Sequence, residues 1–466
     1  MPAPALDQIK TIVVVMMENR SFDHMLGYLA LEEGWQNVDG VKPNDPTWIA
    51  RTTNKYKEQS YAPFVQQNVT GKMAGDPPHE WTDIARQMGH RDANGKFPMN
   101  GFVENYANAS EKPRISRKPP VLGYFTGKQV PVTDRLARNF AVCDHWFSSL
   151  PAGTQANRLM SMAGYSLIAH NILPLPNHRL VYDWLDERHV RWRVYHEGMP
   201  FFAMMPNQIG RILTSGNFRP LEKLWSDVDD ESPDQFPEVI FVEPSYTDSP
   251  HVGLTRDDHA PSSIVGGQQF LNEVYRSIRV NPNWEGTVMI ITYDEHGGFF
   301  DHASPPSVIT PAPESEHSNP GFSTLGIRVP AIVVSPFVSA GRVYDKHLDH
   351  TSILRFLGEK FGQRNGKPPG YSQEVDARQV NSVYEVLDLE KPRLENFVTA
   401  FPSIDAYLNQ TVPPAGYLPG NSKPPTILAE AFKFGLDSIR KHPAYDSGYY
   451  DDLLSAFPPD PTTHLA

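Results

Sequence analysis

Apolar runs that stop at acids set the pattern of this chain. Ile12-Val13-Val14-Val15-Met16-Met17 is unbroken and rich in β-branched residues, which predicts a strand buried on both faces. It halts at Glu18-Asn19, and Arg20 to Leu29 then shows helix-compatible apolar spacing. Val288-Met289-Ile290-Ile291-Thr292-Tyr293 repeats the design and halts at Asp294-Glu295-His296-Gly297-Gly298. The predicted strands are Thr11–Met17, Arg191–Tyr195, Val239–Val242, Thr287–Thr292 and Ala331–Val334. The predicted helices are Ser21–Leu31, Val132–Asn139, Gln155–Ala163, Ser262–Ile278 and His350–Phe361. Alternation of the two predicts an α/β fold, a mainly parallel sheet sandwiched by helices. Two polar stretches, about Val38–Pro120 and Ala303–Gly326, read as long loop insertions of the kind that cover active sites.

From Glu385 onward the pattern weakens. Asn421–Pro425 reads as a linker and Thr426–Ile439 as a helix. The expected division is a catalytic domain over 1–385 and a C-terminal extension over 386–466 that packs on or caps it.

A chain of 466 residues has room for one large α/β domain with insertions, or for two domains. Its formal net charge of −12 argues against nucleic acid as a partner, yet leaves a local phosphate site open. Cys143 is the single cysteine, so an intrachain disulfide and a Cys-based zinc cluster are excluded. Within Phe140-Ala141-Val142-Cys143 it reads as a buried structural thiol. No run reaches transmembrane length, and the N-terminus lacks the basic-then-apolar order of a signal peptide. The expectation is a cytoplasmic protein or a processed exported one.

Ligands of open α/β sheets bind just past the carboxyl ends of the strands. Glu18 and Asn19 stand at one such end, Asp294 and Glu295 at another. Crowded carboxylates repel, and a cation between them relieves the repulsion; solvated loop acids and a helix cap are the plainer reading. Pro151 and Gly153 force a turn that puts Thr154 at the start of a helix. Taken alone, Thr154 reads as an ordinary cap. As a nucleophile it would have free N–H groups at hand for a phosphate and a metal to acidify its hydroxyl.

Three segments carry a family resemblance: Glu18-Asn19-Arg20-Ser21-Phe22-Asp23-His24, Gly153-Thr154 leading into Asn157-Arg158-Leu159, and Tyr293-Asp294-Glu295-His296-Gly297-Gly298-Phe299-Phe300-Asp301-His302. Together they resemble the bacterial phospholipase C/acid phosphatase family of phosphoesterases and the plant non-specific phospholipases C, within the alkaline-phosphatase-like superfamily. Asp76-Pro77-Pro78-His79-Glu80-Trp81, Asp258-His259-Ala260-Pro261 and Asp349-His350-Thr351-Ser352-Ile353-Leu354 extend the likeness over roughly residues 10–365.

The resemblance implies an alkaline-phosphatase-like fold and a phosphoric ester hydrolase. Thr154 would attack phosphorus and form a covalent phosphothreonine. Glu18, Asn19, Asp294 and Glu295 would hold one divalent metal ion: calcium, magnesium, manganese or zinc. His79, His196 and His259 would line the phosphate site with Asn19 and Thr154, and His259 or a neighbour would protonate the leaving alkoxide. Read singly, His79 is also a plain loop residue and His196 a plain strand end. His302 and His350 are expected to hold loops or cap a helix. His296 stands where the family often has an asparagine, as a replacement for that amide or as an added ligand.

A threonine at position 154 resembles the phospholipase C branch more than the phosphatase branch. The expected reaction is hydrolysis of phospholipid or choline-type phosphodiesters. Acid phosphatase activity on monoesters, or a non-catalytic metal-dependent phosphate-binding module, is the alternative; a sulfatase or phosphonate hydrolase ranks last. A choline group would call for aromatic walls, with Trp81, Tyr106, Tyr124 and Trp146 as candidates. Pro200-Phe201-Phe202-Ala203-Met204-Met205-Pro206 is either an apolar rim for transient contact with a membrane surface or a buried loop. Large exported relatives carry an export signal and extra C-terminal β-rich domains, and neither is expected in this chain.

Overall fold

A computed structural model of the chain describes residues 3–67, 69, 75–109, 113, 115–251, 253–310, 321–393, 426–446 and 448–458. At its centre is an eight-stranded sheet. In chain order the strands are β1 (Thr11–Met17), β2 (Ala141–Cys143), β3 (Trp192–His196), β4 (Phe218–Pro220), β5 (Val239–Glu243), β6 (Thr287–Tyr293), β7 (Ala331–Val334) and β8 (Arg342–Tyr344). Across the sheet they lie β8-β2-β7-β6-β1-β5-β3-β4. β7 runs antiparallel to both of its neighbours, and the other pairings are parallel. The fold is thus α/β with a mainly parallel sheet flanked by helices.

β1 and β6 are buried along their whole length, as unbroken apolar runs in the middle of a parallel sheet must be. Their register pairs Met17 with Tyr293, so the chain leaves both strands at the same level. That register is what sets Glu18 beside Asp294. Cys143, at the end of β2, is buried, and desolvation pushes its thiol far above the usual range.

The longer helices are α1 (Pro131–Asn139), α2 (Thr154–Ala163), α3 (Ile264–Arg279), α4 (Thr351–Phe361) and α5 (Ile427–Lys441). The helix predicted over Ser21–Leu31 is broken into one α-turn, Phe22–Met25, and a 3-10 segment, Gly27–Leu31. The cause is a competing acceptor role. The His24 carbonyl, which a continuing helix would offer to the amide four residues on, accepts instead from Phe125 N–H at 2.8 Å.

The insertion after residue 38 is more ordered than its polar composition suggests. It holds the helices Pro46–Thr52, Trp81–Met88 and Phe102–Ala107. Ile84, Met88, Phe102 and Val103 pack with Phe300 and Ile327 into a small core of their own. The second insertion folds back as a short hairpin, Ser307–Thr310 with Phe322–Thr324.

The C-terminal helix α5 lies over the turn Phe201–Met204, with Phe432 against Phe201 and Tyr246 at ring distances of 5.7 and 5.5 Å. Phe201 to Met205 are therefore buried, and the reading of this segment as an exposed apolar rim is corrected. Leu428, Phe432, Leu436 and Ile439 share one continuous core with the sheet. The expected linker Asn421–Pro425 lies outside the described residues. Among the described residues no helix is long and apolar enough to cross a membrane.

Candidate active site

The carboxyl ends of β1 and β6 supply the acids. Glu18, Asn19, Asp294 and Glu295 are all fully buried. Asn19 turns the chain with φ of 62°, a left-handed conformation that asparagine tolerates better than most residues. Its N–H donates to Asp294 Oδ1 at 3.1 Å, which locks the two strand tips together. Gly297 is required here: it has φ of +63°, and a Cβ on it would stand 2.2 Å from the Asn19 carbonyl oxygen.

Thr154 opens α2, after Gly153 in extended conformation. Asn157 fastens the preceding loop: its Nδ2 donates to Ala152 O at 2.6 Å, and its Oδ1 accepts from Leu150 N–H at 2.9 Å. The Thr154 hydroxyl is buried and has no hydrogen-bond partner. An unused hydroxyl at a helix N-terminus is what an incoming phosphate requires.

One turn along the same helix face, Arg158 reaches the acids. Its Nη2 lies 3.0 Å from Glu18 Oε1, and its Nε 3.7 Å from Asp294 Oδ2. The guanidinium thus bridges Glu18 and Asp294. Three ligand atoms lie within 4.8 Å of one another in Asp76, His79 and His259, and again in Glu18, Asp257 and His259. Glu18, Asp294 and Glu295 do not together form a triplet that closes this tightly.

Asn19 joins two histidines. Its Nδ2 is 3.3 Å from His79 Nε2 and 3.0 Å from His259 Nε2. His259 Nδ1 faces Asp248 Oδ2 at 3.2 Å and Glu18 Oε2 at 3.4 Å, and its Nε2 faces Asp76 Oδ1 at 3.2 Å. His79 Nδ1 donates to Pro77 O at 2.6 Å, which aims Nε2 at Asn19 and at Glu295 Oε1, 3.9 Å away. His196 stands apart from this group. Its Nδ1 donates to Gly198 O at 2.8 Å, and its ring stacks on Tyr450 at 6.2 Å.

Charge follows the geometry. Burial disfavours a charged His79, but Glu295 and Asp76 outweigh it and raise the imidazole to about 9. Burial likewise opposes His259, and Asp76, Asp248 and Glu18 hold it well above its ordinary value. His79 is therefore charged at neutral pH, and the carboxylates around His259 favour its charged form. Burial, with the charge of Glu18, pushes Asp294 up. Glu295 is pulled down by His79 and His296 against the cost of burial. Burial alone drops His196 to about 4, so it is neutral.

His296 donates to Gln87 Oε1 from Nε2 at 2.7 Å and places Nδ1 3.1 Å from Glu295 Oε2. It braces that acid in the place of an amide. His350 Nε2 donates to the Asp294 carbonyl at 2.7 Å, and His302 is held by Asp23 at 2.7 Å, both roles of support. Arg158 and Asp76 lie in the segments that carry the resemblance but were given no role, and Asp248 and Asp257 were not singled out. Arg158 had a usable signal, its four-residue spacing from Thr154 on a predicted helix. Asp248 had none, because it comes from an irregular loop.

The model of the phosphoesterase family matches residues 9–363. The chain belongs to the phosphoesterase family. It is a phosphoester hydrolase, and this phosphoesterase has curated relatives along most of its length. Non-specific phospholipase C3 of Arabidopsis thaliana is 33% identical over 383 residues, 77% of this chain and 70% of its own. Phospholipase C B of Mycobacterium tuberculosis is 29% identical over 416 residues, 78% of this chain and 75% of its own. Among solved structures, a protein in the alkaline phosphatase superfamily from Vibrio parahaemolyticus aligns with a TM-score of 0.30 and 10% identity, over 55% of this chain and 64% of that one.

Proposed function

We propose that this phosphoesterase is a phospholipase C-type phosphodiesterase that cleaves phospholipid or choline-type phosphodiesters, with Thr154 as nucleophile. The buried and unpartnered Thr154 hydroxyl, at the N-terminus of the helix whose Arg158 reaches the strand-tip acids, carries the reading. Protonated His79 and the Asn19 amide bind phosphate oxygens and orient the ester. Thr154 Oγ, its proton already given up to solvent, bonds to phosphorus as the bond to the lipid alcohol breaks, and departs again as the alkoxide when water attacks. His259 gives its proton to the departing oxygen, then takes one from the water that frees the phosphorylated head group. His196 is assigned no contact with phosphate, since Tyr449 and Tyr450 occupy its surroundings.

A divalent metal fits this donor set. Asn19 Oδ1, Asp294 Oδ2 and Glu295 Oε1 are buried oxygens with no hydrogen-bond partner, a costly state unless a cation satisfies them. Those three with Glu18 would hold it. Oxygen donors suit magnesium, calcium or manganese, and the adjoining imidazoles admit zinc. When bound, the metal lowers the pKa of the nucleophilic hydroxyl and offsets phosphate charge.

The test is turnover of p-nitrophenylphosphorylcholine and phosphatidylcholine against p-nitrophenyl phosphate, with and without chelator. Dominant diester turnover that chelation abolishes is expected. Dominant monoester turnover would make the enzyme an acid phosphatase. Mass spectrometry of quenched reactions should find a phosphoryl adduct on Thr154, absent in Thr154→Ala.

A further inference from the structure

One acid beside the nucleophile has no role in the reaction as derived. Gly153 precedes Thr154, and a Cβ on Gly153 would stand 3.2 Å from Glu80 Oε2 and 3.5 Å from Glu80 Oε1. The missing side chain leaves room for this carboxylate against the loop that carries the nucleophile. Asn171 fixes it there: the Asn171 N–H donates to the Glu80 carboxylate, and Asn171 Oδ1 accepts from Gln155 N–H at 3.1 Å. The acid is thereby tied to the first turn of α2.

Glu80 is not explained by local structure. It occupies the N-cap position of Trp81–Met88, yet its side chain makes no capping hydrogen bond. Its Oε2 is buried without a hydrogen-bond partner. The charges around it are His79, His170 and Glu295. A carboxylate next to a phosphate site, with one oxygen left without a hydrogen-bond partner, repels the substrate unless the substrate also brings a positive charge. A phosphomonoester such as p-nitrophenyl phosphate, which has no ammonium group, brings up to two negative charges and no positive one. A phosphodiester brings a single negative charge and can carry an ammonium on its second ester. Trp81, next in the chain, is 38% exposed and packs T-shaped with Phe322 at 6.1 Å. Of the four aromatic residues considered as walls for an ammonium group it alone is exposed, since Tyr106, Tyr124 and Trp146 are buried.

We propose that Glu80 is a specificity-determining residue, which pairs with an ammonium head group and selects phosphodiesters that carry one over phosphomonoesters. This rests on the phosphodiesterase reading above and names the substrate class within it.

Three chromogenic esters with the same leaving group test it: p-nitrophenylphosphorylcholine, methyl p-nitrophenyl phosphate and p-nitrophenyl phosphate. In Glu80→Gln the kcat/KM ratio of choline diester to methyl diester should fall about tenfold. The monoester should gain relative to the methyl diester. Ratios unchanged within about twofold, including equal loss on all three esters, would overturn the proposal. Wild-type enzyme silent on both diesters and active on the monoester would instead overturn the phosphodiesterase reading. Calorimetric titration with choline gives a readout free of turnover. Binding to wild type and not to Glu80→Gln supports the assignment, and equal binding refutes it.

Discussion

Thr426 donates a 2.7 Å hydrogen bond to Asp248 Oδ1, while the other oxygen of Asp248 faces His259 Nδ1 at 3.2 Å. The N-cap residue of α5 is thus two contacts from the imidazole proposed to protonate the leaving group. Thr426 also caps α5, its hydroxyl accepting from Ala429 N–H at 3.0 Å.

Thr426→Val should therefore do two separable things. Loss of the cap should cost about 1 kcal/mol in urea unfolding. Loss of the bond that orients Asp248 should lower kcat/KM about tenfold. Thr426→Ser should keep both. A variant that is merely less stable, with kcat/KM intact, would show that the contact with Asp248 leaves His259 unaffected.

Arg158 sets its guanidinium against both Glu18 and Asp294, and it is buried with them. Arg158→Met leaves two buried carboxylates uncompensated, a loss of about 3–5 kcal/mol in stability. Millimolar divalent cation should return part of that loss, measured as a rise in Tm. A Tm unmoved by the substitution would mean that the acids are protonated and need no countercharge.

Gly297→Ala brings a Cβ to 2.2 Å from the Asn19 carbonyl. The strand tip must yield, and Asn19 with it. A displacement of this size should cost roughly a hundredfold in kcat. The same change at Gly95, where a Cβ would have nothing within 4 Å, serves as the control for an unhindered left-handed glycine.

His302 gives the fold a pH dependence away from the catalytic group. Its Nδ1 is 2.7 Å from Asp23 and its Nε2 3.0 Å from Asp39, while Arg328 binds Asp23 and Asp301 alongside. Burial opposes the charge, but Asp23 and Asp39 raise the imidazole to about 9. The folded value thus lies above the unfolded value, near 6.5. The stabilisation is complete below about pH 6.5 and is lost as pH rises through 9, with an upper size of about 3 kcal/mol. Urea unfolding of wild type and His302→Gln should differ most at pH 6 and converge by pH 10. A gap that widens with pH would reverse the sign.

Much of this was legible in the chain. Continuous apolar runs located the central strands to within a residue or two, because burial on both faces leaves little latitude in sequence. Glu18, Asn19, Asp294 and Glu295 were readable because parallel strands end on one side. The break at His24 was not, since its cause is a hydrogen bond to Phe125, a hundred residues away. Phe201 to Met205 could be assigned to surface or core only once α5 was placed over them. His196 ends a strand of the same sheet as the acids, and strand-tip position alone did not separate it from His259. What separates them is the loop holding Asp248 and Asp257, which has no periodicity to read.

The helix α5 has a practical consequence for anyone cutting the gene. A fragment ending at residue 385 would strip Phe432 from Phe201 and Tyr246, and Gly435 from the Ala203 carbonyl, on the face where α5 now sits. Such a fragment would present a greasy floor to its neighbours at the concentrations used for purification. Aggregation is the outcome to expect from the shortened product, rather than a smaller working enzyme.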